Sequence, residues 1–310
     1  MTEVRPLAVI LTGGKAIRLR PLSLELPKAL VPVLNRPLIA YSLDRLAEAG
    51  LDEVFVVVGP DDTQTGPKAR EFAPMGMSID VAVQAEPKGP ADALAQVPHD
   101  RLRGRDVAVI AVDTLLYGGD VRGQVESWLG ESVDGWLPLA QTDRPQSMGI
   151  AQLVDERVVQ FVEKPEQPKG NLASVAWWLL GPVVVERMLD DPVVNARGEL
   201  EISGTLASLI RARHEIGGRE FDGEWLDTGT LAALLATQAR LLEDCESSVL
   251  VAADAVVEDC KLGPNVVVGA GCVLRRVKIS NALVVAGAVV SDLKDEGVVI
   301  TPSGVVGRAE

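Results

Sequence analysis

The apolar residues of the N-terminal two thirds fall into short runs separated by helical patterns. Leu7–Leu11 is unbroken apolar chain, too short for a helix and closed by Gly13-Gly14, as expected of a strand covered on both faces. Leu38, Ile39, Leu43, Leu46 and Ala47 then recur on one helical face, with Gly50 where a C-terminal cap belongs. Residues 54–58 form a second apolar run, ended by Gly59-Pro60, and 81–83 and 107–112 predict two more strands, the last running straight into Asp113. Runs at 150–154 and 158–162, separated by Asp155-Glu156-Arg157, predict a hairpin. Residues 175–180 predict another strand, and Leu231–Leu242 predicts a helix with leucines at helical spacing. Strands alternating with helices are the βαβ signature, so the expectation is an α/β domain around a mainly parallel sheet.

Past Asp244 the pattern changes. Val256, Leu262, Val268 and Leu274 stand six residues apart, small residues follow Leu262 and Val268, and Val284-Val285 resumes the series after a slip. Six is neither a helical nor a plain strand period. It marks a β-helix, in which each short run forms one flat face of a coil. Cys260, Val266 and Cys272 then share the inner position of successive runs, which makes the two cysteines core filler rather than reactive thiols. The chain is read as two domains, 1–243 and 244–310.

Composition narrows the function. With 310 residues, a formal charge of −14 and a pI near 4.7, the chain is a poor match for nucleic acid or an anionic membrane. In so acidic a chain, the positions of Arg and Lys carry unusual information. Three cysteines fit a reducing compartment without a disulfide framework; no leader or spanning segment is evident, and cytoplasmic residence is the expectation. Two histidines, His99 and His214, have no metal-ligand spacing and offer little to a Ser–His or Cys–His hydrolase.

The chemistry concentrates after the first strand. Ligands of parallel sheets bind outside the carboxyl ends of the strands. There Gly13 and Gly14 let backbone N–H groups approach phosphate oxygens, and Arg18 can neutralise their charge. No Gly-Lys-Ser/Thr follows, so this is not a Walker loop. Pro27-Lys28 through Pro32 and Pro37 is a proline-pinned stretch that presents one lysine close behind the loop.

The run from Leu11 to Pro37 resembles the signature of the sugar-1-phosphate nucleotidyltransferases: leucine-x-glycine-glycine, then arginine-leucine-x-proline, then proline-lysine. The resemblance continues along nearly the whole chain and is nearest to long-form glucose-1-phosphate thymidylyltransferases. It implies a three-layer α/β/α, Rossmann-like domain followed by a short left-handed parallel β-helix. Gln84 to Ala93 resembles the base-reading segment, with Gln84 on the pyrimidine edge and Gly89 allowing close backbone approach. Residues 109–113 resemble the strand whose final Asp113 binds Mg²⁺, and Trp225-Leu226-Asp227-Thr228-Gly229 resembles the element carrying the second metal ligand, Asp227. Phe161-Val162-Glu163-Lys164-Pro165 resembles the family's glutamate-lysine-proline element, with Glu163 on sugar hydroxyls and Lys164 on the sugar phosphate. Asn171 and Trp177 are assigned to the sugar side, and Arg18 and Lys28 to the triphosphate. Gly198 to Ile202 resembles a segment typical of the thymidylyltransferase branch. The implied partners are a nucleoside triphosphate and a sugar 1-phosphate, with the chain as a homo-oligomer.

The implied reaction explains these residue types. A phosphate oxygen of the sugar 1-phosphate attacks the α-phosphorus of the triphosphate, and pyrophosphate leaves in line. An anionic nucleophile needs no general base, so the task is charge neutralisation and alignment. Taken singly, Asp113 also suits a turn, Lys164 a solvated loop, Asp227 a helix cap and the Trp177-Trp178 pair a core. Three positions depart from the family pattern: Ala16-Ile17 replaces glycine-threonine, Val112 replaces glycine before the metal aspartate, and Ala176-Trp177 replaces glycine-tyrosine. An alanine at 16 is costly if that residue needs positive φ, and Val112 is expected to narrow the sugar side. The alternatives are a catalytically silent homologue that binds a sugar nucleotide, or an enzyme for another substrate such as a cyclitol phosphate. A hexapeptide-type acyltransferase is disfavoured because no histidine follows His214.

Overall fold

The computed structural model describes residues 5–14 and 16–309. The chain divides into two compact units, Met1–Gly14 with Ser42–Trp225, and Lys15–Tyr41 with Leu226–Glu310.

The first unit is built on one ten-stranded sheet. In spatial order its strands are Leu172–Ser174, Gly149–Val154, Arg157–Glu163, Ile216–Glu220, Gly135–Gln141, Trp177–Leu180, Val107–Ala111, Leu7–Leu11, Glu53–Val58 and Ser78–Val83. The last four are mutually parallel, with Val9 opposite both Phe55 and Val109. The other half is mixed, since Trp177–Leu180 runs antiparallel to both its neighbours. Leu7 to Ile10 are all fully buried, although successive residues point to opposite faces. Both faces of the sheet are therefore covered, which makes the fold a three-layer, Rossmann-like α/β arrangement.

Most expected elements are present within a residue or two, but 175–180 is not one strand. Ala176 adopts φ 56°, which divides Leu172–Ser174 from Trp177–Leu180 and sends the two segments to different partners. The hairpin turns on Asp155 and Glu156, both at positive φ (48° and 57°), as a two-residue type I′ turn requires.

The second unit carries the β-helix. Its rungs stack Val249–Val251, Val266–Val268, the Ala282 to Val284 end of strand Lys278–Val284, and the end of Lys294–Ile300, all in parallel register. A second face stacks Val256–Glu258, Val273–Arg275 and Val289–Ser291. Register partners such as Val249, Val266, Ala282 and Val298 lie 16 or 17 residues apart, so one coil is slightly shorter than three six-residue runs. This is the slip seen in the sequence. Val266, Cys272, Leu274 and Ile279 are buried in the coil interior, whereas Cys260 in the first coil is only half-buried. The antiparallel strand Val306–Arg308 covers the far edge of the rung sheet.

The compact unit is larger than the expected 244–310 domain because one rung face is apolar outside as well as inside. Val267, Leu283 and Val299 alternate with the core positions yet are fully buried. Helix Leu231–Leu242 packs against strands Lys278–Val284 and Lys294–Ile300, and Gln238 Nε2 donates to the carbonyls of Ala282 (3.0 Å) and Asn265 (3.3 Å). Asn35 Nδ2 donates to the Val268 carbonyl at 3.0 Å, and Gly307 lies so close to Pro21 that a Cβ there would stand 2.5 Å from the proline ring. Residues 16–41 and 226–243 thus pack with the coil. Among the described residues, no helix is long and apolar enough to cross a membrane.

Candidate functional site

Four neighbouring parallel strands end at the same edge of the first unit's sheet, and their carboxyl ends carry the predicted chemistry. Leu7–Leu11 leads to Gly13 and Gly14, Ser78–Val83 to Gln84, and Val107–Ala111 to Asp113. The Val112 N–H donates to the Leu11 carbonyl (3.0 Å) and the Gln84 N–H to the Val58 carbonyl (2.8 Å), which extends the ladders up to these residues.

The opposite half of the sheet reaches the same edge. Strand Gly135–Gln141 is parallel in sense to Val107–Ala111, because Trp177–Leu180 pairs antiparallel with both. Ala173 pairs with both Ala140 and Ile150, and Ile150 pairs with Val162. That chain of pairs sets Val162 level with Ala140 and Glu163, opposite Gly149, level with Leu139, close to but short of the carboxyl end of Gly135–Gln141. Leu172 pairs with Gln141, which places Asn171 just beyond that carboxyl end.

Gly13, Gln84 and Gly89 come together. Gln84 is 5% exposed, and its Nε2 donates to the Gly89 carbonyl at 3.1 Å and to Asp92 Oδ2 at 2.7 Å. A Cβ on Gly13 would stand 3.0 Å from Gln84 Oε1. Gly89 is required twice over, by φ 109° and by the Leu200 carbonyl, which would lie 2.4 Å from a Cβ. The Leu200 N–H donates to the Lys88 carbonyl (2.7 Å) and its carbonyl accepts from the Ala91 N–H (3.0 Å), so segment 198–202 backs the loop around Gly89. Sequence reasoning singled out Gln84 and Gly89 but missed Asp92 and Leu200. An aspartate in the first turn of a short helix reads as a helix-dipole partner, and a lone leucine gives no signal for a backbone contact.

Glu163 and Lys164 also meet: Lys164 Nζ lies 3.2 Å from Glu163 Oε1. Lys164 sits at φ 46°, and its N–H donates to the Met148 carbonyl at 2.9 Å. Gly149 leaves room for this pair, since a Cβ there would be 2.9 Å from Glu163 Oε2. Asn171 Nδ2 donates to Gln141 Oε1 at 2.7 Å, and its carbonyl accepts from the Thr142 N–H at 2.9 Å. Two positions do not face open space. Trp177 and Val112 are each 1% exposed, so the indole packs in the core rather than presenting a ring face, and the valine lines no open pocket wall. Among the described residues, the Trp177 Nε1–H has no hydrogen-bond partner.

The remaining predicted residues lie in the second unit. Ala16 adopts φ 42°, ψ 40°, ahead of the short turn Ile17–Leu19. Leu19 and Leu22 are fully buried anchors, while Arg18 is exposed and Ile17 is 58% exposed. Lys28, half-buried, opens the next turn, Lys28–Leu30. The Glu25 carboxylate accepts from the Ser303 hydroxyl (2.6 Å) and N–H (2.9 Å), and hydrogen bonds from Ser303 and Thr301 hold it below its ordinary pKa. Asp227 Oδ1 accepts from the Gly229 N–H (2.8 Å), and its carbonyl from the Thr237 hydroxyl (2.8 Å). Among the described residues, no three His, Cys, Asp or Glu side chains converge on one point. A divalent ion here would take carboxylate oxygens from the protein and complete its shell from phosphate and water, which suits a hard cation.

The nucleotidyl transferase family pattern matches residues 7–244, and the chain belongs to that family. It is 31% identical over 293 residues to a glucose-1-phosphate thymidylyltransferase of Streptomyces antibioticus, covering 92% of this chain and 79% of the relative. It is 33% identical over 238 residues to the low-salt glycan biosynthesis nucleotidyltransferase of Haloferax volcanii, covering 76% of this chain and 66% of the relative. Among solved structures, UDP-glucose pyrophosphorylase complexed with UDP-glucose shares the fold, with a TM-score of 0.68 at 19% identity over 78% of this chain and all of that one. The chain is thus a nucleotidyltransferase of the kind that makes nucleotide sugars.

Proposed function

We propose that this enzyme transfers a thymidylyl group from dTTP to a sugar 1-phosphate of the glucose type, with Mg²⁺, and releases pyrophosphate. The observation that carries the reading is that Gly13, Gln84 and Asp113 follow the carboxyl ends of neighbouring parallel strands, with Gly89 held against Gln84. The 31% identical relative named as a thymidylyltransferase supports the choice of base.

Gln84 and Gly89 hold the base, Gly13 and Gly14 admit the phosphates, and Arg18 and Lys28 take their charge. Glu163 and Asn171 hold sugar hydroxyls, and Trp177 supports that wall from the core. Lys164 holds the sugar phosphate, one oxygen of which forms a bond to the α-phosphorus as the α–β bridging bond breaks. Asp113 and Asp227 supply carboxylate oxygens for the cation, which when bound offsets charge on the phosphates. No proton need move, so no side chain of this site acts as a base.

Crossing all common nucleoside triphosphates with a panel of sugar 1-phosphates in a pyrophosphate-release assay tests the reading. Turnover is expected with dTTP and a glucose-type phosphate, and Asp113→Ala and Asp227→Ala are each expected to lower kcat at least a hundredfold. A second reading, a silent homologue, draws on Ala16 at φ 42°, where the resemblance leads one to expect glycine. Its outcome would be thermal stabilisation by a sugar nucleotide with no turnover for any pair.

A further inference from the structure

The Gln84 side chain has four hydrogen-bonding capacities: two donors on Nε2 and two lone pairs on Oε1. Both donors are used inside the protein, one on the Gly89 carbonyl and one on Asp92 Oδ2. Among the described residues none donates to Oε1. At ordinary detail the two ends of an amide are interchangeable, but here the neighbours decide. A reversed amide would set its oxygen 2.7 Å from a carboxylate oxygen and 3.1 Å from a carbonyl, with no hydrogen between them. The carboxylate contributes most to that repulsion because it carries a full charge. The space beside Oε1 is defined as well. A Cβ on Gly13 would lie 3.0 Å from Oε1, so the place left empty by that glycine is at hydrogen-bonding distance from the oxygen.

We propose that Asp92 is a positioning residue that locks Gln84 as an acceptor and restricts the site to bases presenting a ring N–H. Thymine and uracil have an imide N–H that satisfies Oε1. Cytosine and adenine offer an acceptor at the corresponding ring nitrogen, which would face the Gln84 oxygen unpaired. A site with a fixed polar group discriminates strongly against a partner that leaves it unsatisfied. The inference rests on the nucleotide reading above and deepens it: Asp92 touches no substrate and acts only through Gln84. Its carbonyl also accepts from Gln96 Nε2 at 3.0 Å, so the aspartate is held from two sides of its own turn.

Calorimetric binding of dTTP, UTP, CTP and ATP to the full chain without sugar phosphate separates this proposal from the reading it rests on. The wild type is expected to bind dTTP and UTP at least a hundredfold more tightly than CTP or ATP. Asp92→Ala is expected to weaken dTTP about tenfold and to shrink the UTP-to-CTP ratio at least tenfold, with kcat on saturating dTTP within threefold of wild type. Asp92→Asn keeps an acceptor oxygen and is expected to restore the ratio to within threefold. A merely structural role would weaken all four nucleotides together. Failure of the wild type to bind any triphosphate removes the nucleotide reading itself. Binding of dTTP with a UTP-to-CTP ratio untouched by Asp92→Ala, or a wild-type preference for CTP, overturns the role of Asp92 alone. If the alanine variant does not fold, the asparagine variant decides: loss of the ratio there contradicts the proposal.

Discussion

Two alanines, Ala16 at φ 42° and Ala176 at φ 56°, hold a left-handed conformation that glycine adopts without a steric penalty. Alanine costs about 1 kcal/mol in that region, while glycine adds somewhat less than that in unfolded-chain entropy. Ala16→Gly is therefore expected to leave the protein as stable or raise its stability by about 0.5 kcal/mol, measured by urea denaturation. An Ala→Gly change within helix Leu231–Leu242 is expected to cost about 1 kcal/mol. The need for positive φ at residue 16 was readable as a condition, because the family resemblance put glycine there. The core placement of Trp177 was one of the readings open from its residue type, but that of Val112 was not, since a strand's period alone does not say which side a ligand occupies when both faces are apolar.

At the scale of the element, the strands and helices followed their periods closely, and helix Leu231–Leu242 keeps the predicted bounds with Thr230 as its N-cap. The exception, 175–180, is apolar throughout, and nothing in its residue types marks the turn at Ala176. The hairpin shows the opposite case. Of its Asp155-Glu156 turn, aspartate accepts positive φ readily but glutamate does so poorly, although the flanking alternation made the hairpin plain. Replacing the pair with Asn-Gly is expected to stabilise the protein by about 1 kcal/mol, read as a rise in midpoint urea concentration at unchanged slope. The Arg219–Glu156 ion pair lost in this exchange is about half exposed and contributes little. Its backbone counterpart, the Gly218 N–H to Glu156 carbonyl bond at 3.0 Å, survives the substitution.

For the whole molecule, the class was readable because its motifs occur in order, whereas the strand order and the extent of the second unit were not. Those depend on long-range pairs, such as Trp177 with Ile110, that leave no local trace. One such long-range tie is Glu53 with Arg105, joined by contacts of 3.1 and 3.0 Å, and with Arg101. Arg105, chiefly, and then Arg101 lower the pKa of the half-buried Glu53 against the opposing effect of burial. A lowered folded pKa contributes stability that is complete above the unfolded value of about 4.3 and is lost as the pH falls toward the folded one. Glu53→Gln is accordingly expected to cost about 2 kcal/mol at pH 7, with the deficit shrinking steadily below pH 4 in denaturation series.

The spacing of 16 or 17 residues between stacked rungs also defines how this chain can change length. A coil can be added or removed only as a whole turn. Repeating residues 249–265 once would lay another layer about 4.8 Å thick on the open end, with every later residue keeping its inward or outward role. A six-residue insertion, though it matches the visible repeat, would rotate each following face by a third of a turn. Val267, Leu283 and Val299 would then leave the face covered by helix Leu231–Leu242. The repeat that the eye finds first in the sequence is thus a side of the prism, while the heritable unit of growth is its full circuit.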